Sequence, residues 1–233
     1  MAEYFGRPTG RASFRLGEEP VWHRILSQLS MVNILESEVD LFSFDAECLT
    51  WLESFQTEGD VGAALPVGVG GYLLYENQGI YMRQASVRRI EICSLPVKGE
   101  RYRCNDAKIG PDGRLWVGIM DYDGLEGRGS LWRIFADGEC ERLLTGLTRP
   151  NGPDWWGDEC WFVDGPTEEI SCRKWDDSGL SEKRNRAKTN GTPDGLAIDS
   201  NGDVWLALRG QARVDHFNLI GEVVDSVQVQ SSC

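Results

Sequence analysis

A short turn followed by an apolar strand recurs along this chain at a nearly constant spacing. Gly71 precedes YLLY, Gly113 precedes RLWVG, Gly157 precedes DECWFVD and Gly202 precedes DVWLA, at intervals of 42, 44 and 45 residues. Upstream, the stretch SQLSMVN beginning at Ser27 holds the corresponding place 44 residues before Gly71. Five marks at a period near 44, each opening a unit of several short strands, are the sequence signature of β-propeller blades, and a sandwich would not keep so regular a register. Between the marks lie short runs rich in Trp, Val, Leu and Ile, bounded by Gly, Asn and Asp, and no segment keeps a helical apolar period beyond two turns. The expectation is an all-β chain.

The 233 residues suffice for one sizeable core, so residues 1–233 are read as a single propeller domain. Within the repeat, Glu18, Asn105, Asn151 and Asp194 stand 9, 8, 6 and 8 residues before their marks, at the start of the strand leading into each one. Equivalent positions of successive blades lie on one rim, and on the innermost strand they converge on the central channel. Two carboxylates and two amides at a channel mouth are hard oxygen donors, which suit Ca²⁺, Mg²⁺ or Mn²⁺ better than zinc. Taken singly, Asn151-Gly152 and Asp194-Gly195 also read as plain turn residues, and Pro193-Asp194-Gly195 is expected to precede its strand. The shared register favours a site.

Other chemistries are excluded by composition. A net charge of −13 with no basic cluster argues against nucleic acid as a partner. No run approaches the roughly 18 apolar residues of a membrane helix, and the first twenty residues lack a signal-peptide core, so a cytoplasmic protein without membrane contact is expected. The seven cysteines (48, 93, 104, 140, 160, 172 and 233) form no C-x-x-C pair and are read as reduced thiols. The only histidines, His23 and His216, are assigned structural roles, because no G-x-S-x-G or H-E-x-x-H motif accompanies them. The tryptophans at strand positions, Trp116, Trp132, Trp161 and Trp205 among them, are assigned to packing between blades.

LGEEPVW (16–22), RCNDAKIGPDGRLWVGIM (103–120), RPNG (149–152) and GTPDGLAIDSNGDVWLAL (191–208) follow one another at the spacing of a known group. In these stretches the chain resembles the regucalcin, gluconolactonase and luciferin-regenerating enzyme (senescence marker protein) family. The resemblance implies a six-bladed propeller that hydrolyses gluconolactone-like or related small lactones with one divalent cation. Ca²⁺ leads that expectation, with Zn²⁺, Mg²⁺ or Mn²⁺ as alternatives. It implies that Glu18, Asn151 and Asp194 hold the metal and that Arg103, Asn105 and Asp123 contact substrate, Asp123 by spacing in a variable loop. Asp194 is expected to serve also as the catalytic base. The family pattern departs at Ala107, where N-D-G becomes Asn105-Asp106-Ala107, and at Pro153, which follows Pro150-Asn151-Gly152.

The family carries six units, whereas a sixth mark here would fall beyond Cys233. About five blades are therefore expected, with the domain incomplete at its C-terminal end. Blade-to-blade angle is set by face packing, so six-blade curvature with a gap between the first and fifth blades is expected rather than a tighter ring. Such a gap exposes blade flanks and predicts self-association through them. The alternatives to a lactonase are a non-catalytic metal- or small-molecule-binding propeller and an inactive family member that keeps its ligands.

Overall fold

Each of the five marks is a hairpin turn between the first and second strands of an antiparallel sheet. The structure, a computed structural model, describes residues 2–6, 14–45, 48–84, 89–97 and 101–229. Strand β1 is Ala2–Phe5. Blade 1 contains β2 (Gly17–His23), β3 (Gln28–Asn33), β4 (Glu38–Phe44) and β5 (Leu49–Gln56). Blade 2 contains β6 (Val61–Val67), β7 (Gly71–Glu76), β8 (Gly79–Arg83) and β9 (Arg89–Ser94). Blade 3 contains β10 (Tyr102–Ile109), β11 (Leu115–Asp121), β12 (Gly129–Ile134) and β13 (Cys140–Leu147). Blade 4 contains β14 (Pro150–Trp156), β15 (Glu159–Asp164) and β16 (Glu169–Asp176), with β17 (Gly179–Leu180) and β18 (Arg184–Lys188) both pairing β16. Blade 5 contains β19 (Thr192–Ile198), β20 (Val204–Arg209), β21 (Arg213–Phe217) and β22 (Val223–Gln228).

The turn chemistry follows from backbone geometry. Gly113, Gly157 and Gly202 hold φ of 72°, 59° and 87°, which a side chain would strain, and Ser27 takes the same left-handed conformation at 49°. In blade 2 that conformation falls on Gly70, one residue before the mark. The sequence repeat gave no sign of β1, which runs parallel to β22 with Tyr4 opposite Val227 and so covers the outer edge of blade 5.

Packing between blades makes four apolar clusters. Val32, Val39 and Leu41 meet Val61, Ala64 and Leu74 between blades 1 and 2. Tyr75 and Ile80 meet Val117, Ile119 and Trp132 between blades 2 and 3. Trp116 and Leu131 meet Cys160 and Trp155 between blades 3 and 4, and Trp161 and Val163 meet Leu206 and Phe217 between blades 4 and 5. Each fully buried large side chain contributes about 1.5–3 kcal/mol. Arg133 reinforces the third interface: its buried guanidinium donates to Glu141 Oε2 at 2.7 Å and to the carbonyls of Asp176 and Asp177 at 2.9 and 2.8 Å.

Among the described residues no such cluster joins blade 5 to blade 1. A cavity of about 790 Å³ lies there instead, with Val21 and Trp22 on one side and Trp205, Ala207 and Val214 on the other. Trp205 therefore does not pack between blades as expected: it faces this cavity and stacks on His216, ring centroids 4.1 Å apart. His23 is buried, with Nε2 2.8 Å from the Gly68 carbonyl, a structural role. Six cysteines are free thiols, and Cys233 lies outside the described residues. No helix of the described residues is long and apolar enough to cross a membrane.

Candidate metal centre and substrate mouth

The innermost strand of every blade breaks its pairing register near the channel mouth. The shifts fall between Glu18 and Val21 in β2, Val61 and Ala63 in β6, Cys104 and Asp106 in β10, Asn151 and Asp154 in β14, and Pro193 and Leu196 in β19. A β-bulge re-aims side chains, and in four of the five blades it carries a polar residue that lines the cavity. Asp194 and Gly195 thus sit inside β19, not before it: pairing runs through Pro193 and resumes at Leu196. Pro153 lies in the unpaired part of β14, where its missing N–H costs no ladder bond. Ala107 is fully buried in the core, where its methyl is accommodated.

Glu18, Asn105, Asn151 and Asp194 all line the same cavity. The fifth blade position of the ring is Gly62, where an added Cβ would meet Cys104 Cβ at 2.5 Å and the Cys104 carbonyl oxygen at 2.7 Å. Blade 2 consequently offers no side chain, which leaves four donors from four blades.

The donors are held from behind. Asn105 Nδ2 donates to Asn151 Oδ1 and to the Pro150 carbonyl, each at 2.9 Å. Asp106 Oδ2 accepts the Gly152 N–H at 2.6 Å, which ties the β14 bulge to blade 3. Asp164 accepts the N–H groups of Thr148 at 3.0 Å and Arg149 at 2.6 Å, which fixes the entry to β14. Lys108 Nζ bonds Asp154 Oδ2 at 2.7 Å, and the same oxygen accepts the Ile198 N–H at 2.9 Å, joining blades 3, 4 and 5.

Burial raises the Glu18 carboxyl to about 7, with further upward push from Asp194 and Asp106 and a partial offset from Arg103 and Arg209. Burial also raises Asp194, against the opposing charges of Arg209, Arg149 and Arg103. Neither carboxylate has a hydrogen-bond or ion-pair partner among the described residues. Two neighbouring half-buried carboxylates left unpaired, with amide oxygens beside them, fit a divalent cation, whose charge would relieve both the desolvation and the repulsion.

Two acidic groups here escaped sequence reasoning. Glu19 holds a left-handed φ of 48° and hydrogen-bonds Asp106, and its carboxyl is pushed well up by burial and by the Asp106 charge. This contact joins blade 1 to blade 3 across the channel, so no local pattern announces it.

The remaining expected substrate residues are placed differently. Arg103 acts on both Glu18 and Asp194, and it donates to the Cys104 carbonyl at 2.8 Å. Close by, Tyr122 donates to Asp60 Oδ2 at 2.7 Å. Asp123 stands apart from the four donors, on the exposed turn after β11, where its carboxylate pairs with Arg101 and its N–H bonds Asp121 Oδ1 at 2.8 Å.

Known proteins share this architecture and sequence pattern. The crystal structure of a calcium-binding protein, regucalcin, from Agrobacterium tumefaciens str. C58 superposes with a TM-score of 0.88 at 22% identity, over 99% of this chain and 81% of that one. A pentonolactonase of Haloferax volcanii is 32% identical over 203 residues, 84% of this chain and 67% of the relative. Regucalcin of Danio rerio is 29% identical over 208 residues, 85% of this chain and 70% of the relative. Residues 16–233 match the SMP-30/Gluconolactonase/LRE-like region, and the chain belongs to that family.

Proposed function

We propose that this chain is a divalent-metal-dependent lactonase acting on a sugar lactone in the cytoplasm. The observation that carries the reading is the convergence of Glu18, Asn105, Asn151 and Asp194, from four blades, on one cavity. Membership of a family that includes sugar lactonases supports it, as does the likeness to a protein described as calcium-binding. Glu18, Asn151 and Asp194 would hold the cation, with Ca²⁺ the first candidate on a set of hard oxygen donors. When bound there, the cation would polarise the lactone carbonyl.

The chain's own residues supply the rest. Asn105 keeps the Asn151 amide oxygen aimed at the axis. Asp194, its carboxyl raised by burial, accepts a proton from the attacking water as that oxygen bonds to the carbonyl carbon. The ring C–O bond then breaks, and the proton passes to the departing ring oxygen to give the open hydroxy acid. Arg103 donates to the carbonyl oxygen as negative charge grows on it.

Hydrolysis of glucono-δ-lactone, followed by acid release with and without EDTA, tests the reading. The parent should lose activity on chelation and regain it with added Ca²⁺, and Asp194→Ala should abolish both turnover and the Ca²⁺-induced rise in melting temperature. An Asp194→Ala variant that hydrolyses the lactone at the parent rate overturns the assignment.

A further inference from the structure

Strand pairing exposes one position at which blade 5 breaks the internal repeat. The last residue of each blade's second strand lies opposite the first residue of its innermost strand: Asn33 opposite Gly17, Glu76 opposite Val61, Asp121 opposite Tyr102, Asp164 opposite Pro150, and Arg209 opposite Thr192. The first four are buried acceptors. Asn33 Oδ1 takes the N–H groups of Arg15 and Leu16 at 3.1 and 3.2 Å, Asp121 takes that of Asp123, and Asp164 takes those of Thr148 and Arg149. The position thus holds the loop entering the blade in blades 1 and 4 and the turn after β11 in blade 3. In blade 5 that duty is given up for a cation, Arg209, which is exposed and lines the cavity beside Glu18 and Asp194.

A second cation, Arg149, stands on the neighbouring blade 4, near enough to Asp194 to act on its carboxyl. Arg149 lies two residues before Asn151, as Arg103 lies two before Asn105. Its guanidinium reaches between the mouth turns of blades 3 and 4: a Cβ on Gly124 would lie 3.6 Å from Nη2, and one on Gly165 3.5 Å from Nη1. Arg149 Nε is buried without a hydrogen-bond partner. Among the described residues none of Arg103, Arg149 and Arg209 forms an ion pair. A dication held at the donors would offset the carboxylates of Glu18 and Asp194, leaving the guanidiniums of Arg149 and Arg209 without an anion of their own. A neutral lactone supplies none.

We propose that Arg149 and Arg209 bind a carboxylate carried by the lactone, so that the substrate class is the monolactones of sugar diacids rather than neutral aldonolactones. The inference rests on the lactonase reading and names its substrate class. Guanidinium recognises a carboxylate through paired N–H donors, and two such groups on adjacent blades place the anion beside the reacting carbonyl.

The test compares glucono-δ-lactone with glucaro-1,4-lactone on the Ca²⁺-loaded protein. The parent should favour the diacid lactone in kcat/KM, and that preference should shrink as ionic strength rises. R149Q and R209Q should each lower the ratio of the two kcat/KM values about tenfold or more. Because Arg209 is exposed, R209Q keeps the test decisive if R149Q fails to fold. An independent readout is melting temperature at fixed free Ca²⁺, which glucarate should raise more than gluconate in the parent and not in R209Q. Equal kcat/KM on both lactones with unchanged ratios in the variants overturns the carboxylate site and leaves a lactonase. No hydrolysis of either lactone overturns the lactonase reading itself, and the melting comparison then decides the carboxylate site alone.

Discussion

Asn105 Nδ2 donates to Asn151 Oδ1 at 2.9 Å, a side-chain bond from blade 3 to blade 4 at the rim of the channel. It fixes the orientation of the Asn151 amide together with the other end, Nδ2, which donates to the Arg149 carbonyl at 3.3 Å. Asn105→Ala frees that amide to turn. The expected outcome is weaker Ca²⁺ binding by about tenfold, read by calorimetry, with kcat falling alongside. Unchanged affinity in Asn105→Ala would show that the Asn151 oxygen is held by other means.

The raised carboxyls set a pH dependence for the metal-free protein. Glu18 titrates near 7 when folded and in the ordinary glutamate range, about 4.5, when unfolded, so between those values the folded state holds the extra proton. Stability therefore falls as pH rises through that window and levels off above about 7. Cation binding must displace the same proton, so Ca²⁺ affinity should climb over the same range. Melting in EDTA between pH 5 and 8 checks the first part, and Glu18→Gln should flatten the slope. A melting temperature that rises with pH in EDTA contradicts the burial of Glu18.

Arg103 addresses substrate rather than metal, on the proposed division of roles. Arg103→Ala should lower kcat/KM by about a hundredfold, the scale of losing one charge-stabilising donor. Its Ca²⁺ affinity should stay near the parent value or rise slightly, since a neighbouring positive charge is removed. A matching collapse of metal binding would merge the two roles.

How much of this was legible in the sequence follows from the range of each interaction. The hairpin marks are local: glycine or serine at a left-handed φ, followed by an apolar strand, shows itself within a few residues. Glu18, Asn105, Asn151 and Asp194 could be aligned by counting back from those marks. The count drifted from 6 to 9 residues because the hairpin turns after the innermost strands differ in length, from Gly157-Asp158 between β14 and β15 to residues 24–27 between β2 and β3. The bulges themselves are defined by the opposing strand, not by their own residues. For the same reason Asp194 read as a turn before its strand. Strand β1 and the Glu19–Asp106 contact pair residues from distant parts of the chain, where no spacing rule reaches. Arg209 becomes conspicuous only once the five second strands are aligned by pairing and its four counterparts are seen to be acceptors.

The free face of blade 1 sets a last expectation, about association. Trp22, Phe44 and Trp51 lie on the side away from blade 2 and are 43, 47 and 47% exposed. Trp22 and Phe44 pack edge to face with centroids 6.3 Å apart, so they present one continuous surface rather than scattered side chains. Opposite them, across the cavity, Trp205, Ala207 and Val214 form the facing side of blade 5. A contiguous aromatic patch of this kind drives association in water, because each ring covered by a partner is removed from solvent at a gain of roughly 25 cal/mol per Å². The chain should therefore show a mass that grows with concentration in light scattering, and Trp22→Lys with Phe44→Lys should reduce it to a monomer while leaving the far-UV spectrum intact. Both side chains are more than two-fifths exposed, Trp22 at the wall of the cavity, so a lysine at either position reaches solvent. A parent that stays monomeric at every accessible concentration, with a high melting temperature, would mean that the two faces satisfy each other within one chain.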